Sequence, residues 1–145
     1  MITKINSVGL TGIDGFCIRV ETDISNGIPA WDVVGIPDMA VKESKERIKS
    51  ALKNSGLMIP GKKILVNLAP ADIRKEGTCL DLPIAIGILT ASEQLIIENL
   101  ESTFFLGELS PERYTRRFAY GNHRIPKRRE TDFSSETECK RGCGR

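Results

Sequence analysis

Histidine is missing from the first 122 residues, and the single one in the chain is His123. That long stretch therefore has no side chain whose ordinary pKa lies near neutrality, and no imidazole to act as general base or metal ligand. Phosphate-cradling loops are missing too. No G-x-x-x-x-G-K-[ST] occurs, and no G-x-G-x-x-G follows a strand, so neither ATP nor a dinucleotide is expected to bind. No run of 18 apolar residues is present to span a membrane. The opening M-I-T-K-I-N-S-V-G-L has no apolar core of a secretory leader, so the cytoplasm is the expected compartment. Four cysteines in such a chain are expected as free thiols, and no metal site is expected in the body.

What is present divides near Ser110. Residues 1–110 hold 11 Lys/Arg against 14 Asp/Glu, and residues 111–145 hold 10 against 5. The net charges are −3 and +5, which together give the +2 of the whole chain. The only His, both Tyr and two of the four Cys fall in the shorter, basic part. Two different kinds of sequence are joined there.

The body alternates between strand and helix patterns. Thr3 to Leu10 reads as a short strand, followed by a turn at Thr11–Gly15. Between Phe16 and Ile24, Phe16, Ile18, Val20 and Ile24 share one face, and Cys17, Arg19, Glu21 and Asp23 share the other. That is a strand with one wet face. Ser25-Asn26-Gly27 is a turn signal, and Trp31 to Ile36 reads as the returning strand of a hairpin. Asp38 is placed to cap a helix that buries Val41, Ile48, Ala51 and Leu52 and ends at Gly56 in a left-handed position. Lys62 to Ala69 is a nearly continuous apolar strand, expected inside the sheet. Asp81 is expected to cap a second helix, with Pro83 in its first turn. Leu82 to Thr90 is apolar all round and so should be buried. F-F-L-G-E-L (104–109) closes the body as a strand. The order β-β-β-α-β-α-β implies an α+β fold with two helices packed on a sheet.

Two groups of residues invite a chemical reading. Cys79 lies just before a helix start, whose partial positive charge favours a thiolate, and Lys75 is near in sequence. Against catalysis stand the missing general base and Asp81, which would raise the thiol pKa. A semi-buried loop residue is the favoured reading. Lys42, Lys45, Lys49 and Lys53 follow one stripe of the first helix and could face DNA phosphates. Glu43 and Glu46 share that helix, and Glu43 pairs with Arg47 at i, i+4, so a solvated face is favoured.

Three stretches carry a family resemblance. They are D-I-S-N-G-I-P-A-W-D-V-V-G-I-P-D-M-A-V-K-E-S-K-E-R-I-K-S-A-L-K-N-S-G, I-L-V-N-L-A-P-A-D-I-R-K-E-G-T-C-L-D-L-P-I-A-I-G-I-L and F-L-G-E-L-S. Together they resemble the N-terminal domain of the magnesium-chelatase-like AAA+ ATPases of the YifB/ComM family, over essentially all of residues 1–110. The resemblance implies a ribosomal-protein-S5-domain-2-like fold, shared with the Lon protease domain. It implies that in full-length relatives the domain precedes its own AAA+ motor, which uses ATP and Mg and acts as a ring on DNA in competence and recombination. In Lon-type domains a K-D-G-P-S-A-G loop carries the catalytic serine. Lys75-Glu76-Gly77-Thr78-Cys79, with Asp81 just beyond, falls on that loop, so Cys79 takes the nucleophile's place. The partner lysine of a Ser–Lys dyad cannot be assigned here. An accessory domain without a motor is therefore expected, and a degenerate Lon-like hydrolase working through Cys79 is the alternative.

The segment 111–145 shows no periodicity and differs from the family's continuation. Its few large apolar groups are too little to order a chain of that length. Written in degenerate codons and read one base later, Tyr114 to Arg124 can spell I-R-G-V-L-P-M-V-I-T-A, and Glu138 to Cys143 can yield N-A-K-E-A-A. Both strings look like the family's continuation. The segment is thus expected to be an out-of-frame, disordered tail that leaves a sheet edge bare. A basic DNA-binding tail and a zinc site from His123, Cys139 and Cys143 are the weaker readings. Any DNA affinity should be salt-dependent and reside mainly in this tail.

Overall fold

The computed structural model describes residues 2–111 and the backbone of residues 119–122. The strands are β1 (Ile2–Thr11), β2 (Asp14–Ser25), β3 (Ala30–Val34), β4 (Lys63–Ala69), β5 (Thr103–Leu106) and β6 (Ala119–Asn122). The helices are α1 (Met39–Asn54) and α2 (Asp81–Ala91), with a short 3-10 helix at Leu100–Ser102. They form an α+β arrangement with one six-stranded mixed sheet in the order β3-β4-β2-β1-β5-β6.

The period-2 patterns translate directly into two sheet faces. Ile5, Ile18, Val20, Ile24, Ile64, Val66 and Leu68 point into the core, whereas Lys4, Cys17, Arg19, Lys63 and Leu65 face outward. Both helices cover the inner face. In α1 the predicted stripe of Val41, Ile48, Ala51 and Leu52 is buried, joined by Ser44. In α2 nine residues are buried, which explains why its sequence has no polar side. Close approach settles α2 on the sheet at Gly87: a Cβ there would stand 2.5 Å from Thr22 Oγ1. The Gly87 carbonyl accepts a hydrogen bond from Thr3 Oγ1 at 3.2 Å.

The ends of α1 match their sequence signals. Asp38 Oδ1 accepts from the Val41 amide at 2.8 Å. At the other end Gly56 has φ 75. The Leu57 and Gly56 amides donate to the Leu52 and Lys53 carbonyls, the paired bonds of a Schellman motif.

Four expectations need correction. The strand at Ala30–Val34 does not return along β2; it pairs parallel with β4 and lies at the sheet edge. Both sides of β2 are taken, by β1 and β4, so β3, α1 and β4 form a crossover unit instead of a hairpin. That strand also stops at Val34, because Gly35 (φ 97) and Ile36 (φ 53) turn into the left-handed region. The last body strand ends at Leu106 rather than running to Leu109. Finally, β6 pairs antiparallel with β5 from Thr103↔Asn122 to Leu106↔Ala119, so the edge expected to be bare is covered there. Residues 112–118 and 123–145, which include the tail's cysteines and His123, lie outside the described residues.

Candidate functional site

The loop between β4 and α2 is assembled against the N-terminus of α1. Asp38 serves both sides of the junction. Its Oδ1 caps α1, and its Oδ2 accepts from the Gly77 amide at 3.1 Å. The Asp38 amide donates to the Lys75 carbonyl at 3.0 Å, and the Lys75 amide donates to the Ile36 carbonyl at 3.2 Å. Pro37 and Lys75 thereby form a small parallel bridge. Gly77, at φ 87, makes the turn that a residue with a Cβ resists.

Lys75, read from sequence as a possible helper of the thiol, is fully buried. Its Nζ donates to the Ile73 carbonyl at 2.6 Å and also to the Pro70 carbonyl. Burial lowers its pKa from the ordinary lysine value, opposed by the charge of Asp72. The ammonium thus closes its own loop like a small bound cation. Glu76 is exposed and pairs with Arg74 at 3.2 Å.

Cys79 is half-buried and packs against the core. Burial pushes its thiol pKa up, and the charges of Asp81 and Asp38 push the same way; only a backbone hydrogen bond opposes them. The helix-start field invoked for this thiol is outweighed by desolvation and two carboxylates. Thr78 contributes its carbonyl, which accepts from the Asp81 amide at 3.1 Å.

Asp81 departs most from the sequence reading. It is not the cap of α2: Leu80 holds that position, without a side-chain cap bond. Instead Asp81 is completely buried and faces α1. Arg47 Nε reaches Oδ2 at 2.7 Å, and Nη2 reaches Oδ1 at 2.9 Å. Nη2 also donates to the Ala40 carbonyl at 2.7 Å, and the Leu109 amide donates to Asp81 Oδ2 at 3.3 Å. Burial raises the Asp81 pKa, with the Arg47 fork holding it down in part. The bond to Asp81 raises that of Arg47, and the guanidinium meets both carboxylate oxygens as a two-pronged contact. Arg47 is therefore the partner of Asp81, 34 residues away, and not of Glu43 alone.

The lysine stripe remains a surface feature. Lys42 and Lys53 are exposed, Lys45 and Lys49 half-buried, and Lys49 Nζ pairs with Glu46 at 3.2 Å. Among the described residues no cluster of three or more His, Cys, Asp or Glu is arranged to hold a metal ion, and no helix is long and apolar enough to cross a membrane.

Sequence reasoning missed the burial of Lys75, the second bond of Asp38 and the Arg47–Asp81–Leu109 contact. One signal for the last was available. Ala40, Ser44, Arg47 and Ala51 follow helical spacing along the flank of the buried stripe, and an aspartate heading an all-apolar helix needs a cation.

Comparison with known proteins places these features in a family. Residues 20–131 match the family described as subunit ChlI of Mg-chelatase. The chain is 50% identical to YifB of Salmonella typhimurium over 99 residues, covering 68% of this chain and 20% of that protein. To YifB of Escherichia coli it is 50% identical over 109 residues, 75% of this chain and 22% of the relative. To the competence protein ComM of Haemophilus influenzae it is 48% identical over 99 residues, 68% and 19% of the respective lengths. The chain spans about a fifth of the length of these curated relatives.

Proposed function

The chain belongs to the family of the ChlI subunit of Mg-chelatase, and from that membership we propose that its body is the N-terminal accessory domain of a YifB/ComM-type AAA+ ATPase acting on DNA in competence and recombination. The observation that carries the reading is the 48% identity to a competence protein across most of the body. In this reading the motor binds ATP and Mg, and the present domain contacts the motor and, through the assembled ring, DNA. The Lys42, Lys45, Lys49 and Lys53 stripe is a solvated face, since Glu43 and Glu46 interrupt its charge.

The domain works without peptide or thioester chemistry of its own. Lys75 Nζ is turned to the Pro70 and Ile73 carbonyls, and the Cys79 thiol is pushed away from the thiolate. Both favour a loop that joins α1 to α2 over the hydrolase alternative. We propose further that the segment 111–145 is an out-of-frame reading of the family's continuation, against which stand the family match through residue 131 and the pairing of β6 with β5. Sequencing the gene decides that point: a shifted frame downstream of Ser110 that does not encode a Walker motif refutes it.

A domain exchange tests the accessory role. In Haemophilus influenzae the corresponding segment of ComM is replaced by residues 1–110 of this chain. Transformation at near the parental frequency is expected. A stable chimera with the transformation defect of a ComM deletion would refute the assignment.

A further inference from the structure

After β5 the chain leaves the sheet and crosses the helix layer as a strap, Gly107 to Pro111. Three of its ties are made in turn by Gly107, Leu109 and Pro111. Gly107 brackets the start of α2: its amide donates to the Cys79 carbonyl at 2.9 Å, and its carbonyl accepts from the Leu82 amide at 3.0 Å. Leu109 is buried, and its amide donates to Asp81 Oδ2. The Pro111 carbonyl accepts from Asn54 Nδ2 at the last residue of α1.

The middle tie differs from the others in kind. The Leu109 amide bonds to a buried carboxylate that Arg47 of α1 holds from the other side. Arg47 in turn bonds to the Ala40 carbonyl in the first turn of α1. That turn is capped by Asp38, which also fixes Gly77 of the Lys75–Cys79 loop. One continuous set of hydrogen bonds therefore runs from the loop, through the start of α1 and the Arg47–Asp81 pair, to the strap that follows β5.

We propose that Asp81 is a shared anchor that couples the seating of α1 and the Lys75–Cys79 loop to the path of the Gly107–Pro111 strap. A displacement at the loop is transmitted to the strap by loosening Arg47 from Asp81, and a pull on the strap is transmitted back by the same bonds. Coupling of this kind is reciprocal.

Residue-resolved amide exchange on the full 145-residue chain, followed by NMR, tests both directions. In Arg47→Met, and to a smaller degree in Arg47→Lys, the Leu109 amide should exchange about tenfold faster. In Arg47→Lys the Val20 and Val66 amides of the central sheet should accelerate less than the Leu109 amide; in Arg47→Met they accelerate as well, because the whole fold loses stability there. In Asn54→Ala, which loosens only the far end of the strap, the Arg47 Nε proton should exchange several-fold faster. An unchanged Leu109 rate in both Arg47 variants overturns the proposal. So does equal acceleration of the Leu109, Val20 and Val66 amides in Arg47→Lys, since the strap then has no coupling separate from global opening. An Arg47 Nε rate unaffected by Asn54→Ala overturns it as well.

Discussion

Removing one member of the Arg47–Asp81 pair should cost much more than removing both, and the two single losses should be unequal. The side chain of Asp81 is 1% exposed and that of Arg47 21%. In Asp81→Ala the guanidinium can turn toward water, so the loss is the charge-assisted bonds plus an unpaired, buried Leu109 amide. That comes to about 2–4 kcal/mol. In Arg47→Met the carboxylate cannot reach water and keeps only the Leu109 amide, so the loss should approach about 3–5 kcal/mol. The double variant Arg47→Met, Asp81→Leu strands no charge and leaves only the Leu109 amide unsatisfied. It should lose about 1–3 kcal/mol, well short of the summed singles.

The pH dependence of Arg47→Met follows from the same geometry. Without its partner the Asp81 pKa rises further above its unfolded value. Between those two values the folded state holds a proton that the unfolded state has released, so stability falls as pH rises. Arg47→Met should therefore be less destabilised near pH 5 than near pH 7. Urea unfolding followed by the fluorescence of Trp31, the only tryptophan, measures all four proteins. Additive losses in the double variant, or an Arg47→Met loss smaller than that of Asp81→Ala at pH 7, would refute the reasoning.

Gly87→Ala should destabilise despite the better helix propensity of alanine. Its Cβ would meet the buried, branched Thr22 at 2.5 Å, and an overpacking cost of about 1–3 kcal/mol outweighs a gain of about 1 at most; an unchanged urea midpoint would show that the sheet yields there. Burial lowers the Lys75 pKa, so between its folded value and the ordinary 10.5 the unfolded chain alone holds the proton, and stability rises with pH. The stability difference between wild type and Lys75→Met should accordingly widen from pH 7 toward 10.5, and a difference independent of pH contradicts that burial. With its thiol pushed up by burial, Cys79 should be alkylated more slowly than the exposed Cys17 at pH 6–7, as read by peptide mass mapping; faster labelling of Cys79 would revive the hydrolase reading.

The parts of this structure visible in the sequence are those decided by short-range period. β2 shows its two faces residue by residue, α1 shows its stripe, its Asp38 cap and its Gly56 stop, and α2 announces its burial by having no polar side. The parts that were not visible depend on which distant segment arrives. Ser25-Asn26-Gly27 does reverse the chain, but a turn cannot say that the neighbouring edge of β2 is reserved for β4, which enters the sequence only 29 residues after β3 ends. Asp81 sits where a cap would sit, and local rules assign it that role. Pro83 has no amide to offer a cap and the Ile84 amide already donates to the Leu80 carbonyl, so the carboxylate is left to face Arg47. The same reasoning applies to Lys75. A lysine among Asp72, Arg74 and Glu76 carries no local signal of burial and is read as a neighbour of the thiol, yet the backbone bridge to Ile36 and Asp38 turns it inward, where the Pro70 and Ile73 carbonyls receive it. In both places the side chain's fate follows from backbone bonds made by other residues. Those bonds are also what make the Lys75–Asp81 loop a junction between α1, α2 and the strap after β5.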